Sequence, residues 1–219
     1  MRRIVTMADL DEGLEALCRA DPRLLAVRAY AGSVPLRLTP PGFASLVQII
    51  VGQQVSRASA EAIYGRLSTL VDRLAPEVLI EGGEALYRAA GLSRPKMRAI
   101  DALSRAVLEG DLDVEALSGL DADDAIARLT RVPGIGPWTA ECYLLFAVGH
   151  PDVFPARDVA LQSAVGHGLG LGARPGEKAL AALAESWSPW RAVASRLFWA
   201  YYARMKGKEA VPLSSPLME

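Results

Sequence analysis

Leu129-Thr130-Arg131-Val132-Pro133-Gly134-Ile135-Gly136-Pro137-Trp138-Thr139-Ala140 is the stretch that decides the fold. A helix-forming run enters it, a Pro-Gly-Ile-Gly turn reverses the chain, and Pro137 opens the next helix where a missing N–H does least harm. Two glycines flanking one apolar residue let the backbone adopt positive φ and approach a ligand closely. The turn presents amides beside a helix N-terminus, a ready site for an anionic oxygen. Taken alone, a generic Gly-x-Gly reads as a tight connection between two core helices, with Ile135 as its hydrophobic plug.

The flanking sequence is helical almost throughout, which makes the fold all-α. Ala, Leu, Glu and Arg dominate, apolar residues recur at three- and four-residue spacing, and alternating β-branched runs are absent. The spacing predicts helices over 8–20, 22–30, 41–53, 56–71, 76–80, 84–90, 95–108, 121–130, 137–148, 159–168, 177–185 and 189–206. Ser56 reads as an N-cap, and Gly91, Gly110 and Gly149 as C-terminal stops. Residues 209–219, with Pro212 and Pro216, read as an extended tail.

Composition narrows the function classes. The chain has 219 residues, 51% of them apolar, with 24 basic against 25 acidic side chains. That balance excludes intrinsic disorder and argues against a uniformly cationic nucleic-acid coat. The charges are uneven, however: Glu109, Asp111, Asp113, Glu115, Asp121, Asp123 and Asp124 fall in one stretch without a base. Setting those seven acids aside turns the formal charge of −1 into +6. Residues 85–100 carry Arg88, Arg94, Lys96 and Arg98 with no acid, and 186–208 carry five bases with none. Unevenly charged solvated helices would give the same pattern. Two cysteines (Cys18, Cys142) and two histidines (His150, His167) are too few for a disulfide framework, a cysteine-held iron–sulfur cluster or a structural zinc site. No signal peptide or membrane span is evident, so the expected setting is cytoplasmic.

The hairpin string resembles the helix-hairpin-helix of DNA repair glycosylases. The resemblance implies that the amides of Gly134, Ile135 and Gly136 hold a DNA backbone phosphate. It also implies that a sodium or potassium ion can sit on the carbonyls of Thr130, Val132 and Ile135, with no other cofactor required. Such contacts orient DNA without reading its sequence. A second hallmark follows in Asp152-Val153-Phe154-Pro155-Ala156-Arg157-Asp158-Val159. Asp158 falls at the superfamily's catalytic position; read alone, it is an N-cap for the helix at 159–168. Asp152 reads as a turn residue.

Three further strings resemble the bacterial DNA-3-methyladenine glycosylase II (AlkA-like) family. They are Ile49-Ile50-Val51-Gly52-Gln53-Gln54-Val55-Ser56, Gly91-Leu92-Ser93-Arg94-Pro95-Lys96, and Trp187-Ser188-Pro189-Trp190-Arg191 leading into Leu197-Phe198-Trp199-Ala200-Tyr201. By position, Trp138 and Trp199 match tryptophans of the family's base pocket, and Gln54 occupies the wedge position that fills the gap left by a flipped nucleotide. Core packing is the alternative for each tryptophan, and a polar helix end for Gln54. Cys142 and Val159 stand where some members have a pocket aromatic, and Arg157 where another acid can occur. Bifunctional relatives carry a lysine before the Thr-Ala of the second hairpin helix; Trp138 stands there instead.

The resemblance covers roughly residues 41–204. It implies two helical lobes with the active site in the cleft between them, as a short form lacking the N-terminal β domain of longer members. The expected organisation is 1–40 packing with the C-terminal lobe, 41–150 as the hairpin lobe, 151–208 carrying Asp158, and 209–219 as the tail. The acidic stretch is expected to face away from DNA. The activity implied is a monofunctional glycosylase acting as a monomer on damaged double-stranded DNA, releasing alkylated purines of the 3-methyladenine type by base flipping to begin base excision repair. Two readings stay open beside it: a related glycosylase for a deaminated or oxidised base, and a non-catalytic helix-hairpin-helix DNA-binding protein.

Overall fold

The computed structural model describes residues 3–207, and all regular structure among them is helical. The helices are α1 (Met7–Ala20), α2 (Arg23–Ala31), α3 (Phe43–Gly52), α4 (Arg57–Thr69), α5 (Pro76–Ala90), α6 (Arg94–Leu108), α7 (Ala122–Leu129), α8 (Pro137–Tyr143), α9 (Val159–Gly168), α10 (Glu177–Ala184) and α11 (Arg191–Lys206). Short 3₁₀ turns occupy Ala116–Gly119 and Glu185–Trp187, and a π-turn at Leu144–Val148 continues α8. The expected tail at 209–219 lies outside the described residues. No helix among the described residues is long and apolar enough to cross a membrane.

Two compact units divide the chain: 39–148 form one, and 3–38 together with 149–207 form the other. Each is built around a helix that is buried on all sides. In the 39–148 unit this is α3, whose sequence FASLVQIIVG has no charged residue and whose positions from Ser45 to Gly52 are all buried. A helix apolar all round belongs in a core, and α3 packs against α4, α6 and α8. Polar side chains fix both its ends. The Tyr143 hydroxyl accepts the Gly42 N–H at 3.0 Å, and Lys96 Nζ donates to the Val51 carbonyl at 2.7 Å. A cation at a helix C-terminus is electrostatically favoured; burial nevertheless pulls the Lys96 ammonium below its usual pKa.

Around α3, Ser56 caps α4 by accepting the Ser59 N–H at 3.2 Å. The two helices expected at 76–80 and 84–90 are one element, α5, broken at Gly83, where φ 50° and ψ −149° absorb a kink. Part of the acidic stretch serves local structure. Asp113 accepts the N–H groups of Glu115 and Ala116, and Asp121 caps α7 through the Asp124 N–H.

In the other unit the central helix is α11, with every residue from Ala192 to Tyr201 buried, against which α1, α2 and α9 pack. Arg196 lies in this core at 2% exposure, with Nε 3.0 Å from the Leu36 carbonyl and Nη1 3.2 Å from that of Ala192. Burial pushes its guanidinium down to about 9, which still leaves it charged at neutral pH. Trp187, 1% exposed, packs between the rings of Phe154 and Phe198 at centroid distances of 5.5 and 5.2 Å. Its indole N–H donates to Asp21 at 3.2 Å.

Candidate active site

The hairpin occupies residues 130–136 between α7 and α8. The Ile135 N–H closes it onto the Val132 carbonyl at 3.0 Å, and the Ile135 side chain is 3% exposed. Ile135 is therefore the plug of the turn, and its amide is already engaged. The N–H groups of Gly134 and Gly136 have no acceptor among the described residues, so these two are open to an external oxygen. The two glycines differ. Gly134 has φ +90°, and a Cβ there would come within 2.4 Å of the Ala99 Cβ on α6. Positive φ was expected of both, but Gly136 sits at φ −92°, ψ 173°, an extended backbone open to any residue. A Cβ on Gly136 would meet nothing within 4 Å. Neither backbone geometry nor internal packing calls for glycine there.

The carbonyls of Thr130 and Ile135 accept no backbone hydrogen bond among the described residues, and Val132 accepts the one from Ile135. As uncharged hard oxygen donors they suit an alkali cation by chemistry. No group of three or more His, Cys, Asp or Glu able to hold a metal occurs among the described residues.

The same unit holds Trp138 and Gln54. Trp138 is the second residue of α8 and is half-buried. Gln54 is exposed in the turn from α3 to α4, at φ +56°, one of two non-glycine residues with positive φ among those described. Such a backbone costs about 1–3 kcal/mol and persists only where its surroundings impose it. Its neighbour Gln53 contributes to that restraint: Nε2 donates to Thr139 Oγ1 at 2.9 Å and reaches the Gly134 carbonyl at 3.3 Å. Gln53 thus ties the α3–α4 turn to the hairpin. Sequence reasoning passed over it, and the only signal was the paired glutamine of Gly52-Gln53-Gln54.

Asp158 and Trp199 come together in the other unit. Asp158 caps α9, its Oδ1 accepting the Leu161 N–H at 2.9 Å, and the indole N–H of Trp199 reaches the same oxygen at 3.3 Å. Trp199 is 3% exposed, and Asp158 is half-buried. The cap reading of Asp158 is therefore correct as local structure, and it fixes the carboxylate for whatever else that group does.

The loop behind Asp158 is held at several points. Ala192 N–H donates to the Pro151 carbonyl at 2.9 Å, Gln162 Nε2 donates to the Ala156 carbonyl at 2.9 Å, and Phe154 packs on Trp187. Asp152 is more than the turn residue expected: Arg191 Nε and Nη2 clamp its carboxylate at 2.8 and 3.0 Å, and Ser188 adds a bond at 2.8 Å. Burial alone would raise the Asp152 carboxyl, but the bonds from Arg191 and Ser188 outweigh it and hold the group below its ordinary value. Arg157 pairs with Glu177 at the surface. Val159, beside Asp158, is 56% exposed, while Cys142 is buried and forms no disulfide.

An all-helical fold, a Pro-Gly-Ile-Gly hairpin and a capped aspartate at the end of a braced loop define a class. The model of the HhH-GPD superfamily base excision DNA repair protein matches residues 47–189, and the chain belongs to that family. Among solved structures, the chain is similar to a DNA-3-methyladenine glycosidase from Bacillus halodurans: 35% identity, 89% of this chain and 90% of that one covered, TM-score 0.75. It is also 32% identical to the probable bifunctional transcriptional activator/DNA repair enzyme AlkA of Mycobacterium tuberculosis, over 88% of this chain and 40% of that protein. The chain thus spans less than half the length of that relative. The 3-methyladenine DNA glycosylase Mag1 of Schizosaccharomyces pombe, solved with abasic DNA, shares the fold at 24% identity, with a TM-score of 0.79 over 88% of this chain and 95% of Mag1.

Proposed function

We propose that this chain is a monofunctional DNA glycosylase. It hydrolyses the N-glycosidic bond of alkylated purines of the 3-methyladenine type in damaged double-stranded DNA, leaves an abasic site and so initiates base excision repair. It acts as a cytoplasmic monomer. The observation that carries this reading is Asp158, a carboxylate fixed by the Leu161 amide and the Trp199 indole at the end of a braced loop. As the bond breaks, positive charge develops on the deoxyribose, and a preorganised carboxylate stabilises it. The same carboxylate orients or deprotonates the attacking water. A pure binder has no use for a negative charge held in this way beside a DNA backbone.

The other residues take supporting roles. The open amides of Gly134 and Gly136 bind a backbone phosphate, and the empty space at Gly136 is what close approach of that backbone needs. A sodium or potassium ion on the carbonyls of Thr130, Val132 and Ile135 would fix the turn for that contact. Flipping a nucleotide costs roughly a few kcal/mol, and Gln54, already restrained at φ +56°, fills the gap. We assign Trp138 and Trp199, each within its own unit, to recognition of the base through their aromatic faces. An alkylated purine is cationic, so aromatic faces attract it and it leaves without a general acid. The relatives named as 3-methyladenine glycosylases and glycosidases support this substrate class. Trp138 at the position of the lyase lysine leaves the second hairpin helix without an amine for a Schiff base.

The test incubates the protein with methylated duplex DNA, separates free purines by chromatography and assays strand scission on a second aliquot without alkali. Released 3-methyladenine with intact strands is the result expected. Absence of any free base overturns the glycosylase reading. Nicked strands overturn the monofunctional one, and exclusive release from deaminated or oxidised lesions overturns the substrate.

A further inference from the structure

Three contacts in the 39–148 unit close a triangle around the hairpin. On α6, Lys96 and Ala99 lie three residues apart and so share a face. Lys96 joins α6 to the end of α3 through the Val51 carbonyl at 2.7 Å. Ala99 packs against Gly134 so closely that a Cβ added there would lie 2.4 Å from its own. Gln53 closes the third side, donating from Nε2 to Thr139 Oγ1 at 2.9 Å and to the Gly134 carbonyl at 3.3 Å. A carbonyl can only accept, so the amide nitrogen of Gln53 has to be the atom that faces it.

What this tie connects gives it a role. At the hairpin it takes the carbonyl of the Gly134–Ile135 peptide, whose N–H is spent on the Val132 carbonyl. That peptide plane is held from both sides, and it lies between the open amides of Gly134 and Gly136. At its other end, Gln53 is the residue before Gln54, which stands exposed at φ +56°. A left-handed backbone is uncommon for a glutamine, and the nearest side-chain restraint on it is the tie one residue upstream.

We propose that Gln53 is a positioning residue that locks the wedge Gln54 to the hairpin, so that a nucleotide is pushed out of the stack against a fixed hold on its backbone phosphate. This role rests on those proposed above for Gln54 and the hairpin amides, and supplies the link between them. A loose wedge would have to be ordered at the moment of extrusion, and that ordering would add to the cost of unstacking. With Gln53 in place the wedge is ordered before DNA arrives. Gln53 acts through Gln54 and not through the reacting bond.

The test uses the full chain and a duplex with 2-aminopurine beside one 7-methylguanine, whose 2′-fluorine keeps the glycosidic bond intact. The 2-aminopurine brightens as its stacked neighbour leaves, so its fluorescence reads extrusion; anisotropy of undamaged labelled duplex reads the hold on phosphate. Gln53→Met keeps the length of the side chain but donates nothing. It should lower the extrusion equilibrium about tenfold while affinity for undamaged duplex stays within about threefold. Thr139→Val removes an acceptor from the other side and should lower extrusion about threefold, which tests the tie even where Gln53→Met folds poorly. In a Gln54→Ala background, Gln53→Met should cost less than about twofold more, because the residue through which it acts is gone. A brace with no part in extrusion would lower melting temperature and spare that coupling. Unchanged extrusion in both Gln53→Met and Thr139→Val, the full tenfold loss without the Gln54 side chain, an equal loss of undamaged-duplex affinity, or no brightening with wild type would each overturn the proposal. None of these readouts depends on base release, so failure here and failure of the glycosylase reading are distinguishable.

Discussion

The hairpin and the Asp158 loop deliver their functional groups by opposite means. At the hairpin the useful atoms belong to the backbone, and the side chains that matter are those that are missing: Gly134 because α6 leaves no room, Gly136 because nothing inside the protein fills the space. At Asp158 the group assigned to the chemistry is one side chain, held by the Leu161 cap and the Trp199 indole at the end of a loop that the Arg191 clamp on Asp152 braces. A backbone site binds and orients, since amides carry no titratable charge. A fixed carboxylate is suited to stabilising a cation that exists only in the transition state. Binding and chemistry should therefore fail separately.

Asp158→Asn sharpens that contrast most. Asparagine caps a helix about as well as aspartate, so α9 should survive, while base release falls by about 10²–10⁴-fold. Circular dichroism together with release kinetics checks both halves. Gly134→Ala should have the largest effect on stability. It forces alanine to φ +90° and into Ala99, and a loss of about 2–4 kcal/mol in denaturant unfolding is expected. Trp199→Phe keeps an aromatic ring but removes the donor to Asp158, and should slow release by about tenfold in folded protein.

Asp152→Asn tests the brace rather than the site. The native Asp152 carboxyl lies below its ordinary value, so the stability it contributes is present above the unfolded pKa, near 4, and disappears as pH falls through the lower folded value. Wild type should be more stable than the variant by about 1–2 kcal/mol at pH 7. The difference should begin to shrink in melting curves as pH falls below about 4 and vanish only at pH below the lower folded value. Gly136→Ala is expected to change stability least, by less than about 0.5 kcal/mol, while weakening DNA binding in a titration. Should it destabilise as much as Gly134→Ala, the distinction between the two glycines is wrong.

How much of this was legible in the sequence depends on the kind of signal. Helical periodicity and caps gave the elements, because Ser56, Gly91 and Pro137 act through local backbone chemistry. Asp158 stood out only through the resemblance of its loop to that of the glycosylase superfamily, while its cap geometry followed from residue type. What escaped were relations between residues distant in the chain. Gln53 reaches Thr139 across 86 positions, Asp152 meets Arg191 across 39, and Lys96 holds the end of α3 across 45. No periodicity encodes such pairs. The two glycines of one motif looked equivalent because their difference lies in Ala99, a residue on another helix. The uneven charge of 85–100 was visible, but the sequence could not show that Arg88 and Arg105 pair with the acids while Arg94 and Arg98 do not.

The most direct test of the division between backbone binding and carboxylate chemistry is single-turnover base release at saturating protein on one methylated duplex, comparing Asp158→Asn with Gly136→Ala. Saturation removes a pure binding defect. Gly136→Ala should then recover to within about threefold of wild type, while Asp158→Asn stays at least about a hundredfold slower. Recovery of Asp158→Asn under saturation, or a persistent large defect in Gly136→Ala, would contradict the account.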